Sequence, residues 1–280
     1  MKFNPDNLDI HELAIEEPEK KSESSFNPEK DITPEDWEGI KNELKDLRTR
    51  NEWSQLAQIA TAIKIFDLNF DIGLDPVAKR EIAKQQNDSK RQADRARSEK
   101  NWIGYSFGAV ERKILFPKKE IHATEADLQS MKDQLDSIRR NPHSRSESRG
   151  GDFAVVASAG RIICHEFDWG VRDEDIKLMK EYLETKKENL AYPQQVIDIM
   201  ISSSKMKIDC DKEIIDMLKR GLDDCRKQKL YRGFVIYATA LKMLASEKVE
   251  VDDDGVKIIM SQKKEKIGVE VPQIPEQKQF

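Results

Sequence analysis

Ala60-Thr61-Ala62-Ile63-Lys64-Ile65-Phe66 and Ala238-Thr239-Ala240-Leu241-Lys242-Met243-Leu244 are nearly the same heptapeptide at two distant places in one chain. Each closes an apolar run of helical spacing and is followed by a short extended segment and a fresh helix start. A third version, Ala157-Ser158-Ala159-Gly160-Arg161-Ile162-Ile163, lies between them, and Ile201-Ser202-Ser203-Ser204-Lys205-Met206-Lys207 is a weaker fourth. Recurrence of this kind is the mark of an internal repeat.

The helix starts recur as well. Thr33-Pro34-Glu35-Asp36 supplies a capping hydroxyl, a proline at the first helical position and an acid three residues on. Comparable starts stand at Leu74-Asp75-Pro76, at Thr124 with Asp127, at Asp173-Glu174-Asp175, at Cys210-Asp211 and at Val251-Asp252, separated in turn by 42, 49, 49, 38 and 41 residues. Each of the first five opens a helix, and in four of them one apolar face is plain: Trp37, Ile40, Leu44 and Leu47; Leu128, Met131, Leu135 and Ile138; Ile176, Met179 and Leu183; Ile215, Leu218 and Leu222. Spacings of three and four place each set on one side. The second helix of a unit, which carries the heptapeptide, is apolar over more of its circumference and belongs between neighbours.

The predicted fold is all-α: about five stacked helix pairs over residues 31–264, with Asp252 opening a last helix to about Lys264. Asn141 to Gly151, with Pro142 and two adjacent glycines, reads as a loop inside the third unit. Residues 1–30 and 265–280 read as disordered tails, too polar to offset the ordering of their backbone. Two-helix units with a period of about 40 to 50 residues resemble the HEAT and armadillo class of α-solenoids. That resemblance implies an open curved stack in which only sequence neighbours touch, with a concave binding surface. It carries over no individual residue.

Composition narrows the function classes. Charged residues make up 36% and apolar ones 38%, and the 12 glycines, 10 prolines and 7% aromatics are too few for a turn-rich sandwich or barrel. The net charge of −5 argues against a surface that is basic throughout, and residues 1–30 hold eight acids against four lysines, so −4 of it lies there. The three cysteines, Cys164, Cys210 and Cys225, make no even framework, no secretory start is present, and no apolar stretch approaches the roughly 20 residues a membrane span needs. A soluble, cytoplasmic chain is expected.

Lys64, Arg161, Lys205 and Lys242, and also Arg112, hold equivalent places in the second helices. Thr61, Ser158, Ser202 and Thr239 precede four of them by three residues, on the same helix face. Stacked units would align these groups into a row able to grip an acidic peptide or a phosphate backbone. The alternative role is structural: a cation near a helix carboxyl end satisfies the last carbonyls while its stem covers apolar surface. A second basic segment, Lys84 to Lys100, has a net charge of +3 and reads as a solvated helix with internal pairs.

No set of residues converges on catalysis, a cofactor or a metal. Cys164 and His165 are adjacent on a helix and diverge by about 100°. Glu250, Asp252 and Asp254 lack the terminal glutamate of a calcium loop, and Asp252 reads instead as a helix cap. The function expected is a non-enzymatic scaffold or adaptor binding a protein or acidic peptide, and the alternative is a nucleic-acid-binding or nucleic-acid-processing repeat protein.

Overall fold

The structure, a computed structural model, describes residues 26–99, 102–116, 123–140, 146–185, 192–203 and 212–260. The expectations for the tails at 1–25 and 261–280, for Lys205 and for the helix start at Cys210-Asp211 lie outside these residues. The chain is mostly helical. A single turn, α1 (Pro28–Asp31), precedes α2 (Pro34–Thr49), α3 (Trp53–Phe66), α4 (Pro76–Glu99), α5 (Ile103–Leu115), α6 (Glu125–Arg140), α7 (Ser146–Ile163), α8 (Asp173–Thr185), α9 (Tyr192–Ser202), α10 (Lys212–Lys227) and α11 (Tyr231–Ala245), and a hairpin of β1 (Lys248–Asp252) and β2 (Gly255–Ile259) follows. No helix among the described residues is long and apolar enough to cross a membrane.

The helices begin where the capping residues stand. Thr33 and Asp36 form a reciprocal capping box at α2, and Thr124 and Asp127 repeat it at α6. Asp75 accepts from the Ala78 amide at 2.7 Å, and Asp175 accepts from the Arg172 amide at 2.9 Å. Two of the turns between helices share one device. Asn51 after α2 and Lys229 after α10 adopt left-handed φ of 59° and 57°, and the next amide, of Glu52 or Leu230, bonds five residues back to Leu47 or Cys225.

The even-numbered helices bury one face each: Ile40, Leu44 and Leu47 on α2, Leu128, Met131 and Leu135 on α6, Ile176, Met179 and Leu183 on α8. On α10 the buried face is Ile214, Leu218 and Leu222, and Ile215 is only half-buried. The odd-numbered helices from α3 to α11 are enclosed by these. α5 packs on α3, α7 on α5, α9 on α7 and α11 on α9, and α11 then returns to α3. The expectation of an open stack touching only in sequence order is therefore corrected: the five inner helices close into a ring. The two heptapeptides that mark the ends of the array meet each other. Thr239 Oγ1 lies 3.4 Å from the Ala62 carbonyl, and Lys242 Nζ donates to the Phe66 carbonyl one turn further on. Ala60, Ala62, Ala238 and Ala240 of the two heptapeptides are all buried.

The outer helices are clasped in the same rotary order. Arg139 in the last turn of α6 donates from Nε and Nη2 to the two oxygens of Asp175 at 2.8 Å each, and from Nη2 to the Gly170 carbonyl at 2.6 Å. Arg226 in the last turn of α10 does the same to Asp36 of α2, at 2.9 and 3.0 Å, and to the Asp31 carbonyl at 2.6 Å. Arg48 in α2 makes a looser version with Asp75 at 3.4 Å and the Gly73 carbonyl at 2.6 Å. Arg139 and Arg226 also lie over the buried rings of Phe153 and Phe234, at 5.1 and 5.2 Å. Thus α2 follows α10 around the ring as α8 follows α6.

Three further expectations are corrected. Residues 26–30 do not belong to a tail: Phe26 is buried in the core. The helix expected from Asp252 is instead the second half of a hairpin, in which Asp252 pairs with Gly255 across a two-residue turn and accepts from the Asp254 amide at 3.0 Å. Alternating Val249, Val251, Val256 and Ile258 around Asp-Gly carry the period of a strand, and Val249 and Val256 are buried. The loop expected from Asn141 to Gly151 ends at Ser146, where α7 begins. Gly150 and Gly151 are helical because α8 lies so close: a Cβ on Gly150 would stand 2.6 Å from the Leu178 carbonyl oxygen, and one on Gly151 2.6 Å from the Tyr182 ring.

Gly150 therefore separates two effects of opposite sign. Alanine gains roughly 1 kcal/mol of helix propensity over glycine, but here it collides with backbone that cannot rotate away, which costs about 1–3 kcal/mol. Urea unfolding of Gly150→Ala is expected to show a net loss of stability, whereas a gain would mean that α7 and α8 lie further apart.

Candidate ligand-binding lumen

Packed helix axes lie about 9 Å apart, so in a five-membered ring each axis is about 8 Å from the centre. A helix with its side chains has a radius of about 5 Å. A bore survives only where inward side chains are short. Ala62 of α3, Ser106 of α5, Ala159 of α7 and Gly233 of α11 are such residues, and the outcome is a cavity of about 410 Å³ lined by all five inner helices.

The hairpin covers one end of this lumen. It packs on α3, α5, α7 and α9, and Asp253 at its tip lies 3.8 Å from Lys113 Nζ in the last turn of α5 and 3.9 Å from His165 Nδ1 just past α7. At the other end stand the first turns of α9 and α11, with Pro193, Gln194 and Arg232, and Arg232 is exposed there. That end is the mouth.

Most of the wall surface is apolar, through Ile65, Val110, Val155, Ile197 and Ile236, and eight polar side chains also line it. Asp198 is a buried acid among them. Burial pushes its carboxyl up to about 7, against the lowering effect of hydrogen bonds from Ser158 and Gln194, the Ser158 Oγ lying 2.9 Å from Oδ1. Among the described residues no ion pair reaches it. Burial likewise raises Glu111 on α5 to about 7, and the charge of Arg232 opposes the rise. Thr61 is 7% exposed, faces the same cavity, and its Oγ1 has no hydrogen-bond partner among the described residues.

Several of the residues singled out in the sequence are brought to the seams between inner helices, and Lys64 to the loop after α3. Lys64 Nζ donates to the Leu68 and Phe70 carbonyls at 2.8 Å each, Arg161 to the Ser202 carbonyl at 3.0 Å, and Lys242 to the Phe66 carbonyl while lying 4.4 Å from the Phe66 ring centre. Burial lowers the pKa of Arg161 and of Lys242. Arg112 is half-buried on α5. The hydroxyls bridge neighbours: Ser158 bonds Asp198 of α9, Ser202 the Ala154 carbonyl of α7 at 3.1 Å, and Thr239 lies against Ala62 of α3. Of the eight that lie among the described residues, Thr61 alone lines the lumen.

Sequence reasoning missed Glu111, Asp198 and Arg232. A signal for Asp198 was present, since it is the lone acid in Val196-Ile197-Asp198-Ile199-Met200-Ile201, and an acid inside an enclosed helix is rare without a purpose. Among the described residues no group of three or more histidines, cysteines, aspartates or glutamates could hold a metal ion, and Cys164 and Cys225 are half-buried free thiols. Comparison of the chain with protein-family models, with curated proteins and with solved structures finds no match.

Asp198 keeps its proton to about pH 7 when folded, but only to about pH 4 when unfolded. Between these limits the folded chain binds more protons, so stability falls as pH rises through the window. Asp198→Asn removes that slope while keeping an acceptor for Ser158. Relative to the unsubstituted protein, the variant is expected to gain on the order of 4 kcal/mol between about pH 4 and pH 8, read from urea midpoints across the range. A constant difference would show that the carboxyl is ionised throughout.

Proposed function

We propose that this protein is a non-enzymatic binding module, built from five copies of a helix pair, whose lumen takes one small, largely apolar ligand. The observation that carries the reading is the convergence of all five inner helices on one cavity of about 410 Å³ whose surface is mainly apolar. Ligand sites in general have roughly 300–1,000 Å³ and this composition. Among the described residues, the hairpin stands at one end of the lumen and the exposed Arg232 at the other.

The expected protein, acidic-peptide or nucleic-acid partner along the Lys64, Arg161 and Lys242 row is the competing proposal. It requires those cations to leave the carbonyls they hold, each a charged hydrogen bond of about 1.5–3 kcal/mol. A small ligand in the lumen requires no such rearrangement. Size selection follows from the wall: the helix spacing fixes the bore, so one bulky side chain at Val155 narrows it.

The neutral fluorophore N-phenyl-1-naphthylamine tests the chamber. Saturable binding of one molecule per chain is expected, lost in Val155→Trp without loss of helical content. Absence of a saturable site, or equal binding by Val155→Trp, contradicts the reading.

A further inference from the structure

The lumen is unequal in charge, and its inequality points to a ligand class. Its titratable groups are Glu111 on α5, Asp198 on α9, and Arg232 and Tyr237 on α11, while α3 and α7 present none. Arg232 stands at the mouth and acts on Glu111. Asp198, further in, has only a hydroxyl and an amide for company, and Ser158 and Gln194 fix its carboxyl in place. Across the same cavity Thr61 holds a buried hydroxyl without a partner, free to bond one more polar group. The apolar side chains of Ile65, Val155 and Ile236 supply the rest of the wall.

Resting on the chamber reading, the geometry points to a protonated alkylamine as the ligand, its ammonium on the Asp198 carboxylate and the Thr61 hydroxyl, its apolar body along the wall. An ammonium carries several N–H donors, enough for both groups at once. The pairing also resolves the one buried carboxyl of the lumen that lacks a cation. A carboxylate ligand would meet two acids against one guanidinium. A neutral alcohol would satisfy Thr61 but leave Asp198 without a charge partner.

The ligand brings its own proton, and Asp198 must lose one to pair with it. Before binding the carboxyl is largely protonated below pH 7. Binding therefore transfers that proton from Asp198 to the solvent, the ammonium remaining intact, and affinity rises with pH until the empty site is already ionised. Glu111 titrates in the same range and adds to the release with the same sign.

Three probes with one body and different heads decide the matter: 1-adamantanamine, 1-adamantanol and 1-adamantanecarboxylate, titrated calorimetrically in two buffers of unlike ionisation enthalpy. The amine is expected to bind once per chain, at least about tenfold tighter than either other probe. It should release a proton at about pH 6 and tighten about tenfold or more from pH 5.5 to pH 7.5. Asp198→Asn should erase the preference for the amine and most of the proton release, leaving the alcohol unaffected. Equal affinity for alcohol or carboxylate, or amine binding without proton release, overturns the amine assignment and leaves the chamber standing. Failure of all three at millimolar concentration overturns the chamber reading and this inference with it.

Discussion

The guanidinium of Arg226 on the carboxylate of Asp36 joins the last outer helix to the first across 190 residues of chain. Burial alone would raise the Asp36 carboxyl, and the hydrogen bonds from Arg226 and from the Thr33 amide outweigh it and hold the group below its ordinary value. The pair does two tasks. Asp36 completes the cap of α2, and Arg226 terminates α10 while covering Phe234. The same two tasks are joined in Arg139 and Asp175. Closure of the ring is thus one more use of a contact already present between successive outer helices. Tyr231 over Gly39, and Thr239 and Lys242 on α3, extend that closure inward.

The lumen follows from closure. An open array of helix pairs exposes the inner faces as a groove, whereas a ring of five turns them on one another and leaves a bore narrow enough for side-chain size to decide its volume. Polar groups in that bore lose water on every side, which is why Asp198 and Glu111 both titrate near neutrality. Three of the cations that an open stack would present as a row hold carbonyls at a carboxyl end of an inner helix or just beyond: Lys64 in the loop after its own helix, Arg161 on α9, and Lys242 on α3, across the closing seam. The hairpin then seals the end at which those carbonyls lie.

Much of this was legible in the sequence. Caps at Thr33, Asp75 and Thr124 and the acids that begin at Asp173 mark real helix starts, and the three- and four-residue spacing of Leu128, Met131 and Leu135 gives the buried face. The clasping arginines were also written there, since Arg48 and Arg139 each lie 15 residues after the caps at Thr33 and Thr124, and Arg226 lies 15 residues after Asp211. The partner of the last was not legible, because a regular spacing shows that each unit reaches for a neighbour but not that the last neighbour is the first. Gly150-Gly151 misled because the pressure of α8 on α7 is a tertiary fact. Val249 to Ile258 misled because an acid before a valine serves equally as a helix cap or as the edge of a tight turn. Asp198 was hidden for a third reason: whether a lone acid on an apolar helix faces solvent or a cavity depends on closure.

The ring stands or falls on coupling between its first and last outer helices, and a double-mutant cycle on Asp36→Ala and Arg226→Met measures that coupling by urea unfolding. The cost of losing the α2 cap and the cost of uncovering Phe234 cancel in the cycle, leaving the term between the two side chains. Closure predicts an interaction of about 1–3 kcal/mol. Additivity within error would place α2 and α10 out of reach of each other, as in an open stack, and would contradict the account.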